Sequence, residues 1–116
     1  MEQETGTDRV ESLIGEAFDA GRQHVPHERF VDLDKLLREE IDRLVPMVEQ
    51  LAGSSSVKYR SREWYACDHA LFSADYQKSL RLPDFGPLAC ALQVAELARR
   101  IRELQKVLRE VGGVQP

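Results

Sequence analysis

Three histidines, two cysteines and a group of aromatic residues are the side chains here with distinctive chemistry to offer. His24, His27 and Glu28 surround Pro26, and Asp68 precedes His69. Helical metal sites repeat their ligands at i and i+3 or i+4, as in Glu-x-x-His or His-Glu-x-x-His, so that both donors share a face. Neither pattern occurs, so no metal and no cofactor are expected, and His24 and His27 read as exposed linker side chains. A reactive thiolate needs an imidazole or a helix N-terminus beside it. Cys67 is two residues from His69, which on a helix sets them about 200° apart. Cys90 stands in Leu88-Ala89-Cys90-Ala91-Leu92, the setting of a buried structural thiol. With no Gly-x-Gly-x-x-Gly, no phosphate loop and no Gly-x-Ser-x-Gly elbow, the residues lean away from an enzyme and assign no catalytic group.

Two groupings remain. Trp64, Tyr65, Asp68, Phe72 and Tyr76 spread over adjoining sides of one helix, and aromatics with a carboxylate among them are the means of holding a small apolar or cationic molecule. The competing reading puts Trp64 and Phe72 in the core, Asp68 in solvent and the tyrosines at the rim. Arg99, Arg102, Lys106 and Arg109 form one helical stripe with Arg100 beside it, a shape that can follow phosphates. Against a nucleic-acid role, Glu96, Glu103 and Glu110 share that helix. The break from Arg81 to Pro87 is also not the tight turn of a helix-turn-helix.

The elements that must position these groups are helical. Asp8 with Glu11 has the spacing of a capping box, and Val10, Leu13, Ile14, Ala17 and Phe18 follow as one apolar stripe, ending near Gly21. Residues 22–31 read as a linker, because Pro26 disfavours helix at Val25. A second helix opens at Asp32 or Asp34 and carries Leu33, Leu37, Ile41, Leu44 and Val48 to Gly53, with Pro46 predicted to kink or divide it. A third spans about 62–79 from a Ser61 cap, and a fourth about 87–111 from Pro87 to Gly112-Gly113. No stretch alternates with period two. The expected fold is therefore all-α, a small up-and-down bundle of three to four helices. Residues 1–31 form an N-terminal helix and linker, and residues 32–113 the bundle proper. The first helix, through Val10, Leu13, Ile14 and Phe18, is expected to cover a groove or to swap onto a second copy.

In a chain of 116 residues, 42% hydrophobic and 31% charged residues suit one soluble domain, and no run approaches the roughly 20 apolar residues of a spanning helix. The polar opening from Met1 to Asp8 shows no secretory signal, so a cytoplasmic location and reduced cysteines are expected. The net charge of −4 speaks against a polyanion-coating protein. It is unevenly placed: residues 1–58 carry thirteen acidic and seven basic side chains, residues 59–116 seven and nine.

Leu44-Val45-Pro46-Met47-Val48-Glu49 and Ala95-Glu96-Leu97-Ala98-Arg99 resemble elements of an uncharacterised family of small helical proteins that accompany natural-product biosynthesis genes in high-GC Gram-positive bacteria. The His-Tyr pair that follows the last helix in that family has no counterpart here. The resemblance implies a helical accessory protein and carries over no catalytic residue. Together these readings point to a non-catalytic protein–protein interaction or accessory module, with another protein or a second copy of itself as partner. The alternative is a small-molecule binder, or a minor enzyme, with a pocket near Trp64, Asp68 and Tyr76. A DNA-associated regulator ranks third.

Overall fold

The computed structural model describes residues 6–113 and residue 116. Four helices carry the fold: α1 (Gly6–Asp19), continued by one 3-10 turn over Ala20–Arg22, then α2 (His27–Ala52), α3 (Arg62–Ser79) and α4 (Pro87–Glu110). No strand occurs among the described residues. The all-helical expectation holds, with differences at the helix ends. Asp8 lies in the first turn of α1, not at its cap. α2 begins at His27, five residues before Asp32, because Pro26 restricts the residue before it while its own extended backbone, at ψ 149°, serves as the N-cap. The break between α1 and α2 is thus only 23–26. Pro46 does not divide α2, which continues as helix to Ala52.

Local chemistry explains the other boundaries. The Ser61 hydroxyl accepts a hydrogen bond from the Trp64 N–H at 3.2 Å, which caps α3. Gly86 takes a positive φ of 94° as the N-cap of α4, a conformation that a side chain would strain, and Pro87 follows in the first turn.

The helices alternate in direction, up, down, up, down. The acidic and basic partners along them show the pairing: Glu16 of α1 meets Arg29 of α2, and Glu11 meets Arg102 of α4 at 2.7 Å. Lys78 near the end of α3 meets Asp42 in the middle of α2. α2 and α4 therefore run parallel, and they form the most extensive packing in the molecule, with α1 and α3 each laid against both. No packing joins α1 to α3. Along this central seam Leu33, Leu37, Ile41, Leu44 and Val48 of α2 and Val94, Leu97, Ile101, Leu104 and Leu108 of α4 are fully buried. Each such side chain contributes about 1.5–3 kcal/mol of apolar burial. α1 adds Ile14 and Ala17 to the same core, and α3 adds Cys67, Ala70 and Ala74.

Candidate functional site

The helical turn of 100° per residue gives α3 three sides. Cys67, Ala70, Ser73, Ala74 and Gln77 are buried against α2 and α4. Tyr65, Asp68, Phe72 and Tyr76 are exposed on the third side, which no other helix covers. The expectation that Phe72 belongs to the core is overturned: it is 71% exposed. The reason is geometric, since the two sides of α3 that meet helices are filled mainly by small residues, and the bulky aromatics fall outside. Trp64 alone of the five is half-buried, edge-on to Tyr59 at 4.9 Å and to Tyr65 at 5.1 Å between ring centroids. It belongs to the loop preceding α3 more than to the outer face. The depression between α3 and α4, about 300 Å³, is lined by Ala66, His69, Ala70, Glu103, Lys106, Val107, Glu110 and Val111. Trp64, Asp68 and Tyr76 do not line it.

The outer face continues onto α4. Gln77 donates from Nε2 to Gln93 Oε1 at 3.0 Å, a buried bond in the α3–α4 seam. Tyr76 and Leu92 each precede one of these glutamines and each is exposed, so they stand at the same level on the outer side of the seam. Leu88 is 70% exposed one turn before Leu92, and Phe85, in the turn joining the two helices, is 84% exposed. Phe72, Tyr76, Leu88 and Leu92 therefore share the outer side of the α3–α4 hairpin, whereas Phe85 lies by Val25, His27 and Phe30 at the start of α2. Beyond Leu92 on α4 lies the basic stripe, and much of it is already matched. Arg99 pairs with Glu96, Arg100 lies 3.6 Å from Glu96 and 3.2 Å from Glu103, and Arg102 pairs with Glu11. Lys106 and Arg109 are exposed.

On the opposite side of the molecule the stripe of α1 is mostly consumed. Ile14 is buried, Val10 and Leu13 pack against the core, and Phe18 remains 39% exposed. A half-open groove of about 480 Å³ separates α1 from α2, floored by Val10, Leu13 and Leu36 and walled by Arg9, Glu16, Arg29, Glu39, Glu40 and Arg43. Its charges are largely paired with one another. Glu16 holds Arg29, and Glu40, almost buried, accepts from Arg43 Nε at 3.0 Å. The hydrogen bond from Arg29 keeps the Glu16 carboxyl below its ordinary pKa.

A model of a family of unknown function matches residues 8–113, from the first turn of α1 to the second glycine after α4. The chain belongs to the DUF6415 family. No curated protein and no solved structure matches it. The DUF6415 match spans all four helices, so the α1 segment is part of the family's unit along with the bundle it packs on.

One juxtaposition in this DUF6415 chain has no trace in local spacing. Cys90 Sγ lies 3.9 Å from His27 Nδ1, a residue 63 positions away, and donates to the Pro83 carbonyl at 3.4 Å. Sequence reasoning weighed only Cys67 with His69 and set that pair aside, and only the meeting of the α2 and α4 N-termini could have pointed to Cys90 and His27. The pair does not make a nucleophile. Cys90 is fully buried and burial pushes its thiol pKa up, with the nearby Asp34 carboxylate adding to the rise, so it stays protonated. Cys67, also buried and likewise raised by burial, is equally inert; both thiols are free. No group of three metal-ligating side chains occurs among the described residues, and no helix there is long and apolar enough to cross a membrane.

Proposed function

We propose that this chain is a non-catalytic helical interaction module, an accessory or regulatory component that works by binding another protein chain. The observation that supports this reading is the exposed apolar group of Phe72, Tyr76, Leu88 and Leu92 on the outer side of α3 and α4. Large apolar side chains gathered on one face are costly to leave in water, and such patches mark binding surfaces. Among the described residues the two thiols, Cys67 and Cys90, are buried and raised in pKa, so neither is an activated nucleophile. A setting in natural-product biosynthesis rests on the sequence resemblance alone.

A photo-crosslinking residue placed at position 72 tests the proposal in cells that make the protein. A covalent adduct with a protein chain, absent when the probe sits at Arg22 on the far side, is the expected result. Uncrosslinked protein at both positions, together with a bare monomer by native mass spectrometry, would overturn it. The second reading, a small-molecule site, is favoured by the 480 Å³ groove between α1 and α2, which is within the usual size range of ligand pockets. A small extra mass that survives native conditions and vanishes on denaturation would bring it forward. For a DNA-associated role the measure is salt-dependent binding to mixed duplex DNA; the ion pairs already made by Arg99 and Arg102 weigh against it.

A further inference from the structure

We infer that the groove between α1 and α2 binds a free amino acid with a branched or aromatic apolar side chain. The inference rests on the small-molecule reading above and names the class of ligand. Six charged side chains line the groove, three acidic and three basic, and four of them are paired with one another. Glu16 is held by Arg29, and the almost buried Glu40 by Arg43. Arg9 and Glu39 remain, both exposed and without an ion-pair partner among the described residues. Arg43, one turn from Glu39 on the same helix, does not serve it, because its Nε and a terminal nitrogen both donate to Glu40. A ligand of single charge would answer one of these two free groups and set itself against the other, whereas a zwitterion answers both.

The register of the two helices brings the free groups together. α1 and α2 run antiparallel, and the Glu16–Arg29 pair sets their levels. Seven residues back along α1 is Arg9 and seven on along α2 is Leu36, so these share a level, and Glu39 follows about 4.5 Å further on at 1.5 Å per residue. The guanidinium and the carboxylate therefore stand on opposite walls of the same stretch of groove. From there the apolar floor of Leu36, Val10 and Leu13 runs back towards the Glu16–Arg29 pair, Leu13 lying four residues or about 6 Å from Arg9 along α1. The ligand carboxylate takes the two parallel bonds that the Arg9 fork can donate, and its ammonium donates to Glu39. Its side chain lies along the floor, a length that leucine or phenylalanine covers, and shields Leu36, which is otherwise exposed. Head and tail of such a molecule thus match the two halves of the groove, one charged with both signs and one apolar.

Isothermal titration calorimetry of the full chain tests this with L-phenylalanine and L-leucine, and with three molecules that each lack one part: 3-phenylpropionate without the ammonium, phenethylamine without the carboxylate, and glycine without the side chain. Phenylalanine or leucine is expected to bind, and each truncated molecule to bind at least tenfold more weakly. Arg9→Gln is expected to weaken phenylalanine at least tenfold and leave phenethylamine unchanged, and Glu39→Gln to weaken phenylalanine equally and leave 3-phenylpropionate unchanged. Both positions are exposed, and circular dichroism checks that the helix content is kept. Failure of both amino acids to bind at millimolar concentration overturns the inference, as does binding that neither substitution weakens. In either case a small mass of another kind held under native conditions would leave the small-molecule reading standing, whereas a bare native mass would remove both.

Discussion

Arg38 uses its whole guanidinium, on one carboxylate of its own helix and on two backbone carbonyls at the end of α3. Nε donates to Asp34 at 3.0 Å, one terminal nitrogen to the Lys78 carbonyl at 2.7 Å, and the other to the Leu80 carbonyl. Those carbonyls close α3, where a helix leaves its last acceptors unpaired and where positive charge is favoured. Arg38→Ala should therefore cost about 2 kcal/mol, the scale of hydrogen bonds to a charged group. Arg38→Lys should recover only part, because an ammonium cannot span both carbonyls and the carboxylate. Urea denaturation of the three proteins measures the difference. Glu16 makes a smaller, pH-dependent contribution. Its pKa is lowered in the folded state, so the Arg29 pair stabilises at neutral pH, and that contribution fades as acid protonates the carboxyl. Both side chains are about two-fifths exposed, which limits the effect to roughly 0.2–1 kcal/mol. The wild type should exceed Glu16→Gln in stability by that amount at pH 7, and the gap should begin to narrow near the ordinary glutamate pKa of about 4.3 and close only below the lowered pKa of the folded state. Thermal melts across that range will show it. Residue types were enough to judge the cysteines inert. They could not reveal Arg38, because its acceptors are backbone atoms 40 and 42 residues away that have no spacing to read.

Helix interiors were legible wherever apolar residues recur every three or four positions, as from Leu33 to Val48 and from Val94 to Leu108. The Ser61 cap was legible too, since a hydroxyl and the amide three residues on are a local pair. The start of α2 was not, because Pro26 carries two messages: it forbids helix behind it and permits helix ahead. The outer face of α3 was hard for another reason. Its aromatics Tyr65, Phe72 and Tyr76 share one side at spacings that fit either burial or exposure, and only the number of helices packed on α3 decides between them. The far ends of α2 and α4 meet at Gly112, where an added Cβ would lie 3.0 Å from the Leu108 carbonyl oxygen and 3.1 Å from Leu51 Cδ2. Gly112→Ala should accordingly destabilise by about 1–3 kcal/mol. In a Leu51→Ala background the same change should cost less, since part of the obstruction is gone. A double-mutant cycle by chemical denaturation measures that coupling.

At the scale of the molecule, the uneven charge of the two halves is used within the fold. Arg102 reaches back to Glu11 and Lys78 to Asp42, so basic groups of the second half meet acidic groups of the first. α1 is tied in by that pair, by Glu16–Arg29 and by the burial of Ile14 and Ala17. Removing residues 1–22 should leave α2 and α4 exposed along one side and lower the stability by several kcal/mol, since loss of a buried isoleucine side chain alone costs about 2–5. A lower melting temperature with increased binding of a hydrophobic dye is the expected outcome; an unchanged melt would show that α1 adds nothing to the core. The order of the helices along the chain has a bearing on how the protein comes to be made. The central seam joins residues as far apart as His27 and Cys90, 63 positions. During synthesis the apolar side of α2 must wait roughly 3 to 12 s for its main partner to be translated. Through that interval Leu33, Leu37, Ile41, Leu44 and Val48 have at most α1 and the small residues of α3 for shelter, so chaperone capture and misassembly at the ribosome should concentrate on α2.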